Sequence, residues 1–335
     1  MSDVAEMIPP AKLGASASNA AAPSSIQARV RAMRWEAPGV LSLELSSADG
    51  AMLPPFEPGA HVDLRLPDGT LRQYSLCGDP SDRSHYRLGI RAVSGGLSST
   101  FVHRKLRPGE LVTVSAPRNN FPLEDAQRYI FVAGGIGITP LIPMMREARE
   151  RGRPWTLLYC NKRDGEAPFL DEIRALGGEV SLHSSEAGTR LDVASKLAAM
   201  QDGAMIYCCG PERLMTAVEE ATAAWPEGTV HFEWFAPRSR PADDAAGSFE
   251  VVCNLSGLTL TVPEDRSVLD ILNEAGIEVP CSCQQGICGT CETRVVSGEV
   301  DHRDSILSSV ERAANETMMT CVSRAKAGSR LILDI

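Results

Sequence analysis

No run of apolar residues in this 335-residue chain is long enough to cross a bilayer, so no membrane partner is expected. The first residues carry Asp3 and Glu6 where a secretory leader carries Lys or Arg, which places the expected location in the cytoplasm. Positive charge is in deficit: 33 Lys and Arg stand against 43 Asp and Glu, a net charge of -10, and no basic run breaks the pattern. A nucleic-acid partner is therefore not expected, because its phosphates would be repelled. The chain also lacks an internal repeat. What it does have is ten cysteines, and without a secretory leader these are expected to be reduced thiols. With 43% hydrophobic and 23% charged residues, the length suits two or three compact domains.

Four of the cysteines carry the strongest signal. Cys283, Cys288 and Cys291 are separated by four and then two residues, and Cys321 follows after a further 29, the ligand spacing of a plant-type [2Fe-2S] cluster. Such a loop wraps a core whose sulfurs attract backbone N–H groups, and Gly286 and Gly289 permit the close approach. Cys281 falls outside the spacing. A structural zinc site would take two paired couples, and only Cys288 and Cys291 form a C-x2-C pair.

Residues 1–25 are rich in Ala, Ser and Pro and read as a flexible arm. From Ile26 to Glu124 short alternating segments separated by Gly/Pro turns predict a small antiparallel β-barrel. From 125 to 235 the pattern changes to continuous apolar runs, YIFVAGG, TLLYC and MIYCCG, which fit strands buried on both faces of a parallel sheet. Helices are expected between them at Leu141–Arg151, Pro168–Leu176 and Pro211–Ala224, making an α/β nucleotide-binding domain. The polar, Pro-bearing stretch 236–248 reads as a linker, and 249–335 as a third domain with strands near Phe249 and Leu258, a helix over Ser267–Ala275, and the cysteine loop.

Three further motifs carry chemistry. Arg72, Tyr74 and Ser75 end a hairpin strand and offer a phosphate-binding cation, an aromatic ring and a hydroxyl, with Ser75 on the opposite face. Gly95-Gly96-Leu97-Ser98-Ser99-Thr100 reads as a turn opening a helix, where free N–H groups and hydroxyls hold a phosphate, or as an ordinary cap. Gly134-Gly135-Ile136-Gly137-Ile138-Thr139-Pro140 joins a buried strand to a helix and lets a pyrophosphate approach its positive end, and Cys209-Gly210-Pro211 lies at the same sheet edge.

In this order, R-x-Y-S, G-G-x-S-S, G-G-I-G-I-T-P, C-G-P, H-F-E and C-x4-C-x2-C…C make the chain resemble the phthalate dioxygenase reductase family, which includes vanillate O-demethylase reductases, from about Ile26 to Ile335. The resemblance implies an FMN barrel, an NADH domain and a C-terminal ferredoxin domain of β-grasp type. It implies that Arg72, Tyr74, Ser75, Arg91, Gly96 and Ser98 surround FMN, with Ser75 near the reactive flavin nitrogen. It further implies that Gly135, Gly137, Thr139 and Cys209 line the nucleotide site and that Phe232 to Phe235 cap the flavin region, where Trp234 stands in place of a small residue. Ser75 and Cys209 are thereby the candidate catalytic residues.

The cofactor set has an internal logic. NADH gives up two electrons together and a [2Fe-2S] cluster accepts one at a time, so a flavin between them must divide the pair. The expected activity is that of a reductase passing electrons from NADH through FMN and the cluster to a Rieske-type terminal oxygenase. Rival readings are a reductase for a cytochrome P450 and a redox-sensing iron-sulfur protein. Asp164, near the end of the second nucleotide strand, favours NADH by meeting a ribose hydroxyl, whereas Lys162 and Arg163 could receive a 2′-phosphate. From Gly247 onward 13 acidic side chains face 7 basic ones, -6 of the chain's -10, so transient electrostatic docking on a basic oxygenase surface is expected beside the plainer reading of a solubilising surface.

Overall fold

In a computed structural model of the chain, which describes residues 25–163, 165–200, 203–239 and 247–335, three main sheets follow one another without sharing a strand. The expected arm lies outside the described residues except for Ser25, and so does most of the expected linker.

The first sheet is antiparallel, with order β4-β3-β6-β1-β2-β5. Its strands are β1 (Ser25–Ala37), β2 (Val40–Ser47), β3 (His61–Arg65), β4 (Leu71–Ser75), β5 (Tyr86–Arg91) and β6 (Leu111–Ser115), with α1 (Leu97–Arg104) between the last two. A further bridge from Leu76 to Leu88 brings β4 back to β5 and closes the sheet into a barrel. Alternation drives it: Leu43, Leu45, Leu64, Leu88 and Val114 point inward and are fully buried. The hairpin between β3 and β4 turns on Gly69, whose φ of +86° suits glycine, while Asp68 Oδ1 accepts the Thr70 N–H at 3.0 Å.

The second sheet is parallel, with order β11-β10-β7-β8-β9. It comprises β7 (Arg128–Gly134), α2 (Leu141–Glu150), β8 (Trp155–Asn161), α3 (Leu170–Ala175), β9 (Glu179–Ser184), α4 (Val193–Ala198), β10 (Ala204–Cys209), α5 (Glu212–Ala221) and β11 (Val230–Glu233). The apolar runs named above form β7, β8 and β10, the three inner strands, because only those are covered on both faces. The glycine turn does not lead directly into a helix: a 3-10 turn over Gly135–Ile138 intervenes before α2. The expected helix from Pro168 begins two residues later, since Phe169 adopts φ +62°.

Gly137 shows how tightly this edge is built. A Cβ placed there would sit 2.2 Å from the Cys209 carbonyl oxygen and 2.8 Å from the Gly210 nitrogen, both backbone atoms that cannot swing aside. Gly137→Ala is expected to destabilise this unit by about 1–3 kcal/mol through overpacking. Thermal unfolding followed by far-UV circular dichroism checks it, and an unchanged melting profile would contradict the contact.

The third unit carries β12 (Phe249–Cys253), β13 (Thr259–Val262), α6 (Val268–Glu274), β14 (Glu292–Ser297), β15 (Val300–Asp301), α7 (Ser309–Ala314), β16 (Thr317–Met319), β17 (Arg324–Ala325) and β18 (Arg330–Leu333). Its mixed sheet runs β13-β12-β18-β14-β16, with a small β15-β17 pair beside it. A capping box between Ser267 and Asp270 starts α6, whose Val268 and Leu272 enter the core beneath the sheet.

Candidate active site

A cavity of about 400 Å³ opens where the end of β4 meets β5, the start of α1 and the segment after β11. Arg72, Tyr74, Ser75, Arg91, Gly96 and Ser98, the six residues implied for a flavin, all line it, together with Thr139, Trp234 and Phe235. Phe232 does not; it packs into the core of the parallel sheet instead. The Tyr74 hydroxyl and Ser98 Oγ share a hydrogen bond at 2.9 Å, which fixes the ring's edge, and burial raises the phenol above its ordinary range. Ser75 Oγ donates to Glu233 Oε2 at 3.1 Å. Glu233 lines the cavity, and burial pushes its carboxyl from 4.5 up to about 8, so it is a neutral acid at pH 7.

A second cavity, about 730 Å³, lies at the carboxyl edge of the parallel sheet where strand order reverses between β7 and β10. Gly134 and Gly135 form its floor, Gly135 at φ +53°, and Lys162, Arg190 and Arg213 give its wall positive charge. Arg91 lines both cavities. Gly137, Thr139 and Cys209, expected here, are placed differently. Thr139 faces the first cavity, 1% exposed, its Oγ1 donating to the Ile136 carbonyl at 3.0 Å. Gly137 packs on the Cys209 backbone, and Cys209 is wholly buried, its thiol pushed up by desolvation, so neither lines a cavity. Asp164 lies outside the described residues. Arg163 is engaged by Glu186 at 2.8 Å and Glu166 at 3.3 Å, and Lys162 by Glu186 at 3.6 Å.

The cysteine loop winds through left-handed backbone at Gln284, Gly286 and Gly289. A Cβ on Gly286 would stand 2.6 Å from Val322 and 3.0 Å from the Asp304 Cα, which shows the close approach the glycine permits. Cys288, Cys291 and Cys321 are buried and Cys283 partly so, whereas Cys281 is exposed. The four spaced thiols interact: Cys283 is held well below the thiol range by Cys288 and Cys321, and Cys291 is lowered by Cys321. Backbone N–H groups supplement this, with Gln285 N–H donating to Cys283 Sγ at 3.3 Å. Among the described residues no trio of His, Cys, Asp or Glu is arranged around a single ion. Thiols gathered in mutual contact, lined by N–H donors and with carboxylates absent from the ligand positions, fit an iron-sulfur core.

The loop also touches the flavin cavity. Gln285 and Ile287, which lie between Cys283 and Cys288, form part of that cavity's wall, and Ile287 packs against the cluster of residues that holds Trp234. The barrel grips the loop at two further points: Gln73 Nε2 donates to Ser282 Oγ at 2.5 Å and to Asp63 Oδ1 at 2.8 Å, and Asn120 Nδ2 donates to the Cys288 carbonyl at 2.9 Å. Arg118 anchors Asp63 from behind at 2.7 Å. Reading the sequence does not single out His61, Gln73, Asn120, Gln285, Ile287, Arg190 or Arg213. An acid inside the apolar stretch HFEWF was the available signal for Glu233, and nothing local marked the others.

Three family models match in the same order: an oxidoreductase FAD-binding domain over 39–122, an oxidoreductase NAD-binding domain over 131–220 and a 2Fe-2S iron-sulfur cluster binding domain over 251–326. The chain is 42% identical to the phenoxybenzoate dioxygenase subunit beta of Ectopseudomonas oleovorans, over 95% of this chain and 100% of that protein. It is 43% identical to a vanillate O-demethylase oxidoreductase of a Pseudomonas species, over 92% of this chain and 100% of that one. Among solved structures it is similar to phthalate dioxygenase reductase, with TM-score 0.66 and 37% identity over 93% of this chain and 98% of that one. It is also similar to part of an intact type IV self-sufficient cytochrome P450 monooxygenase, with TM-score 0.86 and 40% identity over 93% of this chain but 41% of that longer one.

Proposed function

The chain belongs to the phthalate dioxygenase reductase and vanillate O-demethylase reductase family, and from that premise we propose that it is the reductase component of a Rieske-type oxygenase system, carrying electrons from NADH through FMN and a [2Fe-2S] cluster to a terminal oxygenase. That it is an oxidoreductase with flavin, nicotinamide-nucleotide and iron-sulfur domains follows from the family itself. The observation that carries the electron path is the shared wall: Gln285 and Ile287 line the flavin cavity while sitting between two of the four cysteines. The division at 26–124, 125–235 and 249–335, with 236–248 as connector, is part of the same proposal and is supported by three sheets without a common strand.

A bound flavin supplies the exchange between a two-electron donor and a one-electron acceptor. Everything else falls to the chain. Arg72 offers a guanidinium to the phosphate at the cavity mouth, and Tyr74, held by Ser98, offers a ring face to the flavin. Ser75 is oriented by Glu233, which holds a proton at neutral pH and so keeps the cavity free of fixed negative charge. FMN is supported over FAD by the resemblance to the phthalate dioxygenase reductase family. In the second cavity Arg190 and Arg213 carry no ion pair among the described residues and are available to a pyrophosphate at the Gly134–Gly135 floor. NADH over NADPH is supported by the engagement of Lys162 and Arg163 with Glu186. Cys209, with its thiol sealed in, enters the proposal only as the backbone on which Gly137 rests. The reading as a cytochrome P450 reductase stands second, on the likeness to the self-sufficient monooxygenase. No helix among the described residues is long and apolar enough to cross a membrane.

The test has two parts. The flavin released by heat should have the mass of FMN, and NADH should sustain cytochrome c reduction only when flavin and cluster are both present. An inert protein in that assay would leave the redox-sensing reading. If the acidic third unit docks transiently on a basic oxygenase surface, salt should slow reduction of the co-purified oxygenase while barely altering flavin reduction, because screening shortens the reach of charge from about 8 Å at physiological ionic strength to about 3 Å at 1 M. Stopped-flow rates across a salt series separate the two steps, and a partner step indifferent to salt would leave only a solubilising surface.

A further inference from the structure

The third sheet shares no strand with the barrel, yet the cysteine loop is held against the barrel at two points. Gln73 Nε2 donates to Ser282 Oγ at 2.5 Å, next to Cys283, and Asn120 Nδ2 donates to the carbonyl of Cys288 itself at 2.9 Å. Between the gripped positions lie Gln285 and Ile287, which complete the cavity wall, and Gln73 lines the same cavity from the barrel side. Both grips are braced by one residue. Gln73 faces Asp63 in the register of β4 against β3, and its Nε2 also donates to Asp63 Oδ1 at 2.8 Å. Arg118 holds Asp63 through both terminal nitrogens, at 2.7 and 3.1 Å. The main chain of Arg118 exchanges hydrogen bonds with that of His61 at 2.8 and 3.0 Å, which ties the segment carrying Asn120 to β3. Across the interface Gly289 leaves the room, since a Cβ there would stand 3.1 Å from Asn120 Nδ2. Ser282 and Asn120 do not line the flavin cavity.

We propose that Gln73 and Asn120 are positioning residues that seat the cysteine loop against the flavin cavity and thereby set the rate of electron transfer from flavin to cluster. The proposal rests on the reading of cavity and loop as successive stations of one electron path. Each transfer oxidises the flavin by one electron and reduces the cluster by one, with no bond made between them, and after two transfers the proton received with the hydride has gone to water. Domains joined by a linker move relative to one another unless their interface holds them. The transfer rate then follows the fraction of molecules in which the loop is seated. Removing one neutral hydrogen bond lowers such an equilibrium by about threefold to tenfold.

The test uses Ser282→Ala and Asn120→Ala in the full chain carrying flavin and cluster. Stopped-flow absorbance after mixing with NADH resolves flavin reduction from the cluster reduction that follows. Flavin reduction should match the parent, and cluster reduction should be about threefold to tenfold slower in each variant, with both midpoint potentials unchanged. Hydrogen–deuterium exchange at the amides of 282–288, measured without NADH, should quicken by the same factor, which reports seating independently of turnover. Gln73→Leu supplies a cycle: combined with Ser282→Ala it should exchange no faster than the quicker of the two single variants, because both remove the same bond. Parent-like cluster reduction or parent-like exchange in both alanine variants would overturn the proposal, as would additive effects in the cycle. Slowing of both redox steps together, or loss of cluster absorbance from both variants, would also overturn it, making these residues structural. If the parent reduces its flavin but never its cluster, the electron path itself fails, and the positioning role with it.

Discussion

Serine in place of Cys283, Cys288, Cys291 or Cys321 is expected to bleach the iron-sulfur absorbance, and serine in place of Cys281 to leave it. The four spaced thiols are drawn together, two of them lowered by their neighbours, and three are buried. Cys281 is exposed and precedes the turn through Gln284 and Gly286 that gathers the others. A serine oxygen is a harder and poorer partner than a thiolate for this iron site. Loss of a direct ligand should be at least as severe as the loss of an outer-shell partner, which commonly lowers metal affinity or activity by about 10–100-fold. Cytochrome c reduction should therefore fall by about a hundredfold in the four ligand variants. Ferricyanide reduction, which can draw directly on flavin, should persist, because the barrel and the parallel sheet have cores of their own. Visible spectra and the two acceptor assays on all five variants check this. A bleached Cys281→Ser beside an intact Cys283→Ser would shift the ligand register by two residues.

How much of this site could be read from the chain depends on whether the information is local. The first three cysteines of the cluster loop, the glycine turn after β7 and the R-x-Y-S strand end are each contained within a dozen residues, and their chemistry follows from residue type and offset. Strand type was equally legible where periodicity differed: alternation in the barrel, unbroken apolar runs in β7, β8 and β10. Strand β9 was not read, because an edge strand with Ser181 and His183 in it has no continuous apolar run. The short strands β14 to β18 escaped for a related reason, being two to six residues long and dependent on pairing partners distant in the chain.

Convergence of the domains was the other thing hidden. Ile287 joins the cavity wall only because the cysteine loop folds back against Trp234, which stands more than fifty positions earlier. Cys209 shows another limit. A cysteine at the carboxyl edge of a nucleotide-binding sheet reads as a site residue by position, and in the structure its side chain is wholly buried while its main chain is the surface on which Gly137 packs. Position along a strand is visible in sequence, whereas the direction of a side chain at the strand's end is set by packing on both faces.

Glu233 carries the second large expectation, since among the described residues it is the one acid on the cavity wall and burial holds its carboxyl at about 8, against 4.5 for an exposed glutamate. Between those values the folded protein binds a proton that the unfolded chain has released. Its contribution to stability is therefore complete below pH 4.5, declines as pH rises, and is gone above about 8. Each unit of such a shift corresponds to about 1.4 kcal/mol, so the decline should amount to several kcal/mol and be readily seen. Glu233→Gln keeps an acceptor for the Ser75 hydroxyl and has no proton to lose, so this part of the decline should be missing from its stability profile over that interval. Function should follow the same group. A carboxylate formed above pH 8 puts negative charge next to the site that must accept electrons, and in a desolvated cavity that charge opposes the transfer. Flavin reduction by NADH should accordingly slow in the parent protein as pH passes about 8 and remain level in Glu233→Gln. Denaturant midpoints and stopped-flow rates measured from pH 5 to about pH 9.5 on both proteins decide it. A Gln variant that retains the parent's slope in both measurements would mean that Glu233 is not the titrating group.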